Sequence, residues 1–225
     1  MNKIRKIKKQ WSEDSELFYF LISLCVLIFI MYPFIDNSFS GKLIINTIIG
    51  LLIFFATVSV GVYKDRKWSL MALALIVFIS NLFVLFFDNK LLYIIHLVIR
   101  ILFLYVIAYI ILKKILTSGK ITKYSIAGSI IVYLLAGLIW GFSYIALYNI
   151  SPESFTFKNN VGMNTDLTWD FIYFSFTTLT TLGYGDILPN TPFPMSLAVI
   201  EGLIGQLYPV ILIGRLVSAN TINIE

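Results

Sequence analysis

Six apolar runs set the architecture that this chain can adopt. Each is close to the roughly 20 residues that an α-helix needs to cross the hydrocarbon core of a bilayer. They cover Leu17–Ile35, Leu43–Tyr63, Trp68–Phe87, Leu91–Leu112, Tyr124–Tyr148 and Met195–Ser218. With 59% hydrophobic and 13% charged residues and a mean hydropathy of +0.88, the composition lies outside the range of soluble domains. The sequence therefore predicts an all-α membrane protein with six transmembrane helices.

Basic residues predict how these helices are oriented. Of the 17 Lys and Arg residues, thirteen fall at the amino terminus, in alternate loops and near the carboxyl end, three fall in the other loops, and Arg100 lies inside a span. Cytoplasmic loops carry the excess of Lys and Arg, so both termini are expected inside the cell. The basic residues are spread in short clusters between apolar runs, which favours a multi-pass cell-membrane protein over a nucleic-acid partner. Anionic lipid is a minor second interpretation of the basic run at residues 1–10.

The loop between the fifth and sixth runs contains the segment Thr177–Asp186, which reads Thr-Thr-Leu-Thr-Thr-Leu-Gly-Tyr-Gly-Asp. A potassium ion enters a narrow pore when backbone carbonyls aimed at one axis replace its hydration shell. Gly183 and Gly185 can take positive φ at little steric cost, which lets alternate residues aim their carbonyls at that axis. The hydroxyl of Thr181 can add a further oxygen. The segment therefore has the properties of a selectivity filter.

This segment resembles the filter of the potassium channel superfamily, which usually has valine where this chain has Leu182. The filter positions are Thr181, Leu182, Gly183, Tyr184 and Gly185, followed by the acidic Asp186. The resemblance implies K⁺ as the permeant ion, bound at Thr181, Leu182, Gly183 and Tyr184, with no cofactor. Because one chain carries one filter, it also implies a homotetramer embedded in membrane lipid. The resemblance is strong over residues 124–218 and extends to the first four spans only in layout.

The segment before the filter, Thr168–Thr180, is too short to span and is expected to be a re-entrant pore helix that begins at Thr168 or Asp170. The resemblance implies that Tyr173 on this helix hydrogen-bonds Asp186. Thr177, at a position where some relatives carry glutamate, and Thr180 complete the expected support of the filter. The polar segment 149–167 is either an extracellular turret or a plain connector.

Three residues of the last span, Gly202, Gly205 and Pro209, indicate either close packing or bending points. Gly205 lies twenty residues after Gly185. In simple bacterial channels a hinge glycine sits at the same distance, so Gly205 is the hinge candidate and Pro209 the competing one. Seven residues follow Ser218, so no cytoplasmic sensing domain is expected.

The fourth span does not have the pattern of a voltage sensor. Gating charges require Arg or Lys at every third residue, and here only Arg100 is fully charged, with His96 one turn before it. A charged residue within the membrane should have a partner, for which Asn81 and Glu201 are the candidates. A structural polar pair is favoured over a gating role for Arg100, and packing is favoured over pH sensing for His96. Glu201 itself either braces the filter, stays protonated or bonds within the bundle.

Four segments follow: a basic cytoplasmic terminus at 1–16, a scaffold of four helices at 17–112, a cytoplasmic linker at 113–123 and a pore domain at 124–225. The expected function is passive, potassium-selective and largely voltage-independent conduction. The alternatives are a weakly selective cation channel and a membrane sensor or accessory subunit with a vestigial pore motif. The sequence has no nucleophile with a base, no His or Cys cluster and no phosphate loop, so an enzyme is not expected. The Ile-, Asn- and Lys-rich composition suggests a bacterial inner membrane.

We expect the conductance to depend little on voltage. One elementary charge moved across the membrane is worth about 2.3 kcal/mol per 100 mV, and steep gating uses about three to four charges per subunit. One arginine per subunit supplies at most about a third of that. Conductance–voltage curves in planar bilayers should be shallow for both the native chain and Arg100→Gln. A steep native curve that Arg100→Gln flattens would instead make Arg100 a gating charge.

Overall fold

The computed structural model describes residues 17–26, 28, 67–87, 89–117, 123–158 and 167–221. The first of these ranges is helical over 17–25. Five further helices are named here α1 (Lys67–Phe86), α2 (Lys90–Thr117), α3 (Lys123–Ile150), α4 (Thr168–Leu179) and α5 (Pro192–Thr221). Two short strands, β1 (Phe155–Phe157) and β2 (Ile187–Pro189), flank α4 in the chain. The described part of the protein is therefore mostly helical, and the two strands are an addition that the sequence analysis does not predict.

Three of these helices are long and apolar enough to cross a membrane, counted over the described residues alone. They are Lys90–Thr117, Ser125–Ile150 and Pro192–Arg215, and a shorter apolar helix covers Trp68–Val84. These four correspond to the predicted third to sixth spans. The predicted span Leu43–Tyr63, the basic residues at 1–10 and the linker residues 118–122 lie outside the described residues.

Local signals in the sequence explain where several helices begin and end. The side-chain oxygen of Asn89 accepts hydrogen bonds from the backbone N–H groups of Leu91 (2.9 Å) and Leu92 (3.3 Å), which caps the start of α2. Pro152 follows the end of α3, and Pro192 is the first residue of α5, where its missing N–H is not needed. With 12 residues, α4 is about 18 Å long and shorter than the hydrocarbon core of a bilayer.

The chain divides into two compact units. One comprises Met1–Phe83 and Val106–Val132, and the other comprises Val84–Tyr105 and Tyr133–Glu225. Within the first unit, Gly128 on α3 faces Ile111 and Ile115 of α2, whose side-chain atoms would lie 3.1 Å from an added Cβ. The second unit holds α4, the strands and α5. The predicted domain boundaries at 112 and 124 stay a prediction.

Two glycines of α3 let α4 pack closely against it. A Cβ on Gly137 would lie 2.7 Å from the ring of Phe176, and one on Gly141 would lie 3.0 Å from the Cα of Ile172. Both pairs are four residues apart, so each lies on one face of its helix. Helices in membranes pack closely where small residues recur at this spacing. The pair Gly137 and Gly141 is therefore the surface of α3 that receives α4.

The strands tie the segment before α4 to the segment after it. They pair antiparallel, with Phe155 opposite Pro189, Thr156 opposite Leu188 and Phe157 opposite Ile187. The backbone N–H of Asn190 also donates to the carbonyl of Ser154, at 2.8 Å. Within 149–167, part of the polar segment is thus an ordered ribbon rather than a plain connector.

The Phe residues of β1 anchor this ribbon in an aromatic cluster. The ring of Phe155 packs edge-on against Phe171 and Phe174 of α4, with centroids 4.9 and 5.9 Å away. It also meets Tyr144 of α3 at 5.8 Å. Such aromatic pairs contribute about 0.5–1.5 kcal/mol each beyond the burial of their area. The cluster joins α3, β1 and α4 into one packed body.

We expect Gly141→Ala to lower the free energy of unfolding by about 1–3 kcal/mol, because the new methyl group meets the backbone of Ile172 and cannot be avoided by a change of rotamer. Gly214→Ala is the matched control, since a Cβ there meets nothing within 4 Å. The midpoints of thermal unfolding in detergent measure both. Equal midpoints for the two variants would contradict the packing described for α3 and α4.

Candidate functional site

The candidate site is the loop of residues 180–186, which connects α4 to β2. Positive φ recurs at alternate residues of this loop: Thr181 (62°), Gly183 (53°) and Gly185 (74°). Alternation of this kind turns successive peptide groups so that their carbonyls face the same side. Positive φ was predicted for the two glycines and is present. At Thr181 it was not predicted, and for a β-branched residue it is a strained conformation that costs about 1–3 kcal/mol.

The start of the loop is held by the end of α4. The carbonyl of Thr177 accepts hydrogen bonds from the backbone N–H groups of Leu182 (2.8 Å) and Gly183 (3.1 Å). The side chain of Thr177 is buried. The hydroxyl of Thr180 donates back to the carbonyl of Phe176, at 2.6 Å. The last turn of the helix therefore determines where the loop begins.

The end of the loop is held by two tyrosines and an aspartate. The ring of Tyr173 on α4 stacks on Tyr184, with centroids 6.3 Å apart and planes inclined by 4°. Its hydroxyl donates to Oδ2 of Asp186 at 2.7 Å, which is the hydrogen bond expected from the sequence. Oδ1 of Asp186 accepts the N–H of Ile187 at 3.0 Å. The loop is thus fastened to α4 at both of its ends.

The ribbon carries a negative charge near this end of the loop. The hydroxyl of Ser151 donates to the carboxylate of Glu153, and this hydrogen bond holds the pKa of Glu153 below its usual value. The carboxylate therefore stays ionised at neutral pH. The backbone N–H of Lys158 donates to the carbonyl of Asp186 at 2.7 Å, so the ribbon and the loop are directly joined.

The inner face of the site is a close approach between α4 and α5. A Cβ on Gly205 would lie only 1.8 Å from the carbonyl oxygen of Leu179, the last residue of α4. The same oxygen accepts a hydrogen bond from the hydroxyl of Tyr133, at 3.2 Å. One turn earlier, a Cβ on Gly202 would lie at an ordinary 3.8 Å from the carbonyl oxygen of Thr178. Packing thus requires glycine at 205 and not at 202.

Pro209 lies inside α5, which continues on both sides of it. A proline in a helix has no N–H to donate to the carbonyl four residues earlier. That carbonyl belongs to Gly205. The two hinge candidates from the sequence therefore act on the same turn of the helix.

A buried polar cluster joins three helices behind the loop. Glu201 of α5, Ser175 of α4 and Tyr144 of α3 are each 0% exposed. The Tyr144 hydroxyl donates to Oε2 of Glu201 at 2.7 Å. The Oγ of Ser175 lies 2.5 Å from Oε1 of Glu201 and 2.7 Å from the carbonyl oxygen of Gly137.

The partners of Arg100 differ from those weighed on the sequence. Its Nη2 lies 2.5 Å from Nε2 of His96, and its guanidinium lies 4.8 Å from the centre of the Phe142 ring. Because arginine has no acceptor, Nε2 of His96 accepts and the ring proton is on Nδ1. Glu201 bonds to Tyr144 and Ser175 instead, and Asn81 belongs to the other compact unit.

Sequence reasoning missed Ser175, Tyr144 and the two glycines of α3. The spacing of Gly137 and Gly141 was a usable signal, because small residues four apart in an apolar span favour close helix contacts. The partners of Ser175 and Tyr144 come from distant parts of the chain and left no local pattern.

Comparison with known proteins agrees with this geometry. Residues 129–221, which contain most of α3, all of α4, the loop and α5, match the protein family described as ion channel. The chain is 30% identical over 102 residues to two-pore potassium channel 4 of Arabidopsis thaliana. That alignment covers 45% of this chain and 33% of the relative, so the chain matches about a third of the relative's length. No solved structure gave a significant match.

The second compact unit therefore contains an ion-channel domain, and its apolar helices make the protein a membrane protein. Together, the family match and the plant relative support the potassium channel superfamily, the family indicated by the motif at 181–186.

We expect Gly205→Ala to prevent stable packing of α5 on α4, since a methyl group cannot occupy a position 1.8 Å from a backbone oxygen. The free energy of unfolding should fall by about 3 kcal/mol or more, the upper end of the range for overpacked sites. Gly202→Ala should change it by less than about 0.5 kcal/mol. Thermal unfolding of the two variants in the same detergent compares them, and a Gly205→Ala protein as stable as Gly202→Ala would refute the close approach.

Proposed function

We propose that the chain forms a passive, potassium-selective channel in which four copies surround one pore. The observation that carries the proposal is the alternating positive φ at Thr181, Gly183 and Gly185. A row of carbonyls facing one side can take the place of the water around K⁺, and four such rows complete its coordination. K⁺ is the transported ion, and Thr181, Leu182, Gly183 and Tyr184 would hold it. The name of the plant relative, a potassium channel, supports this choice of ion.

The fastening of the loop supports selectivity over a loosely built pore. Tyr173, Tyr184 and Asp186 hold its outer end, and Thr177 holds its beginning. A filter must keep its carbonyls near positions that suit K⁺, whether by cavity size or by the number of carbonyl dipoles. A weakly selective cation channel needs no such support around an intact Gly-Tyr-Gly.

Exposed apolar surface supports assembly. In α5 only 11% of the most apolar stretch is buried within the chain, against 56% in α3. Leu182 and Tyr184 in the loop are 61% and 68% exposed. Copies of the same chain around the loop would cover these surfaces, and the filter motif of each copy supplies one quarter of the ring.

The wider architecture completes the proposal. Six transmembrane helices, a re-entrant α4 and cytoplasmic termini follow from the apolar runs and the distribution of Lys and Arg. The contacts of Arg100 with His96 and Phe142 support a fixed structural role rather than movement with voltage. The bend point at Gly205 and Pro209 is the proposed hinge of the inner helix.

Potassium flux from purified protein in liposomes tests this function. The native chain should pass K⁺ and exclude Na⁺, whereas Gly183→Ala should abolish selective K⁺ flux, because alanine is penalised at a φ of 53°. No neighbouring atom lies within 4 Å of a Cβ at Gly183, so the variant should still fold and assemble. Gly214→Ala is the matched control and should conduct. Equal Na⁺ and K⁺ flux from the native chain would favour a weakly selective channel, and no flux would favour an accessory subunit.

We expect native mass spectrometry of the detergent-purified protein to show a tetramer. Four loops must meet on one axis to complete the carbonyl cages. A protein that conducts K⁺ while remaining a monomer or a dimer would rule out this assembly.

A further inference from the structure

The cluster of Glu201, Ser175 and Tyr144 contains more close oxygen contacts than its two hydroxyl groups can supply with protons. Three pairs of oxygens are within hydrogen-bonding distance: Tyr144 with Oε2 of Glu201 (2.7 Å), Ser175 with Oε1 of Glu201 (2.5 Å), and Ser175 with the carbonyl of Gly137 (2.7 Å). Each of the two hydroxyls has one proton to donate. A third proton is therefore needed.

An ionised Glu201 does not provide that proton. A carboxylate and a backbone carbonyl both only accept, so Ser175 would satisfy one of them and face the other without a proton between the two oxygens. In a buried site an unsatisfied contact of this kind costs about 1–3 kcal/mol. A protonated Glu201 removes the conflict. Its Oε1–H donates to Ser175, the Ser175 hydroxyl donates to Gly137, and Tyr144 donates to Oε2.

The surroundings of Glu201 also favour the neutral acid. Its described partners are hydroxyl groups, and neither of them carries a positive charge. The titratable groups that face it are Tyr144 and Tyr133, both from α3, and ionisation of either would add a second negative charge. An isolated carboxylate inside a membrane domain is strongly unfavourable.

This cluster acts on the loop through α4. Glu201 and Gly205 lie one turn apart on α5, and Ser175 and Leu179 lie one turn apart on α4. Ser175 bonds the first pair of turns together, and Gly205 packs against the carbonyl of Leu179 at the second. Leu179 ends α4, directly before the loop. The position of the loop therefore depends on both contacts.

We propose that Glu201 is a neutral carboxylic acid whose proton completes a hydrogen-bonded link from α5 through Ser175 to the backbone of α3, and that this link positions the end of α4 and the loop. Glu201 is thus a positioning residue that does not touch the ion. The effect on conduction rests on the proposed channel function, whereas the state of the proton does not.

Infrared spectroscopy of the full-length protein in lipid tests the proton directly. The carbonyl stretch of a protonated carboxylic acid should be present at neutral pH, shift on exchange into D₂O, and be lost in Glu201→Gln. If the native and Glu201→Gln spectra show no difference in this band, Glu201 is ionised and the proposal is wrong, whatever the flux.

Conduction provides the second measurement. Glutamine places an N–H donor and a C=O acceptor where the neutral acid has them, so Glu201→Gln should keep K⁺ flux close to the native value. Glu201→Leu has no polar group to complete the link and should reduce flux about tenfold or more, as expected for losing a buried hydrogen bond. Ser175→Ala should fall with Glu201→Leu. A Glu201→Gln protein that fails to assemble, or that loses flux as Glu201→Leu does, overturns the proposal.

These readouts separate the two levels of the argument. A native protein that shows the infrared band and passes no K⁺ contradicts the channel function and leaves the protonated Glu201 in place. A native protein that conducts without the band keeps the channel and removes the neutral acid.

Discussion

The contact of Gly205 with the carbonyl of Leu179 is the constraint on which the site depends. It brings the backbone of α5 against the end of α4 with no side chain between them. The carbonyl that is approached so closely also accepts a hydrogen bond from Tyr133 of α3. The end of α4 is therefore held by two helices, and the loop begins from a point with little freedom to move.

A loop with positive φ at alternate residues is not stable by itself, and the structure holds it from outside. The strain at Thr181 adds to this requirement. The ribbon of β1 and β2 closes the far end of the loop, and Tyr173 connects that end to α4 through Tyr184 and Asp186. Aromatic packing around Phe155 then joins the ribbon to α3. Each connection restricts a backbone that forms no regular helix or long strand.

Polar groups within the apolar helices are handled in two different ways. Arg100 is placed between His96 and the ring of Phe142, so its charge is met by a neutral acceptor and an aromatic face. Glu201 is surrounded by hydroxyl groups and a backbone carbonyl, and proton counting favours a neutral side chain. In both cases the partner lies on the same helix or on α3 and α4, within the compact unit that contains the loop.

The sequence by itself determined the apolar spans from Trp68 onward, the start of α4 at Thr168, and the positive φ of Gly183 and Gly185, because these follow from hydrophobic length and local backbone preference. It also indicated the bond between Tyr173 and Asp186 through the family resemblance. Only the tertiary structure decided the partners of Arg100 and Glu201, the ribbon, and the packing reason for glycine at 205. Those depend on which distant segments meet, and a charge, a short strand or a glycine looks the same in sequence whatever lies beside it in the folded chain.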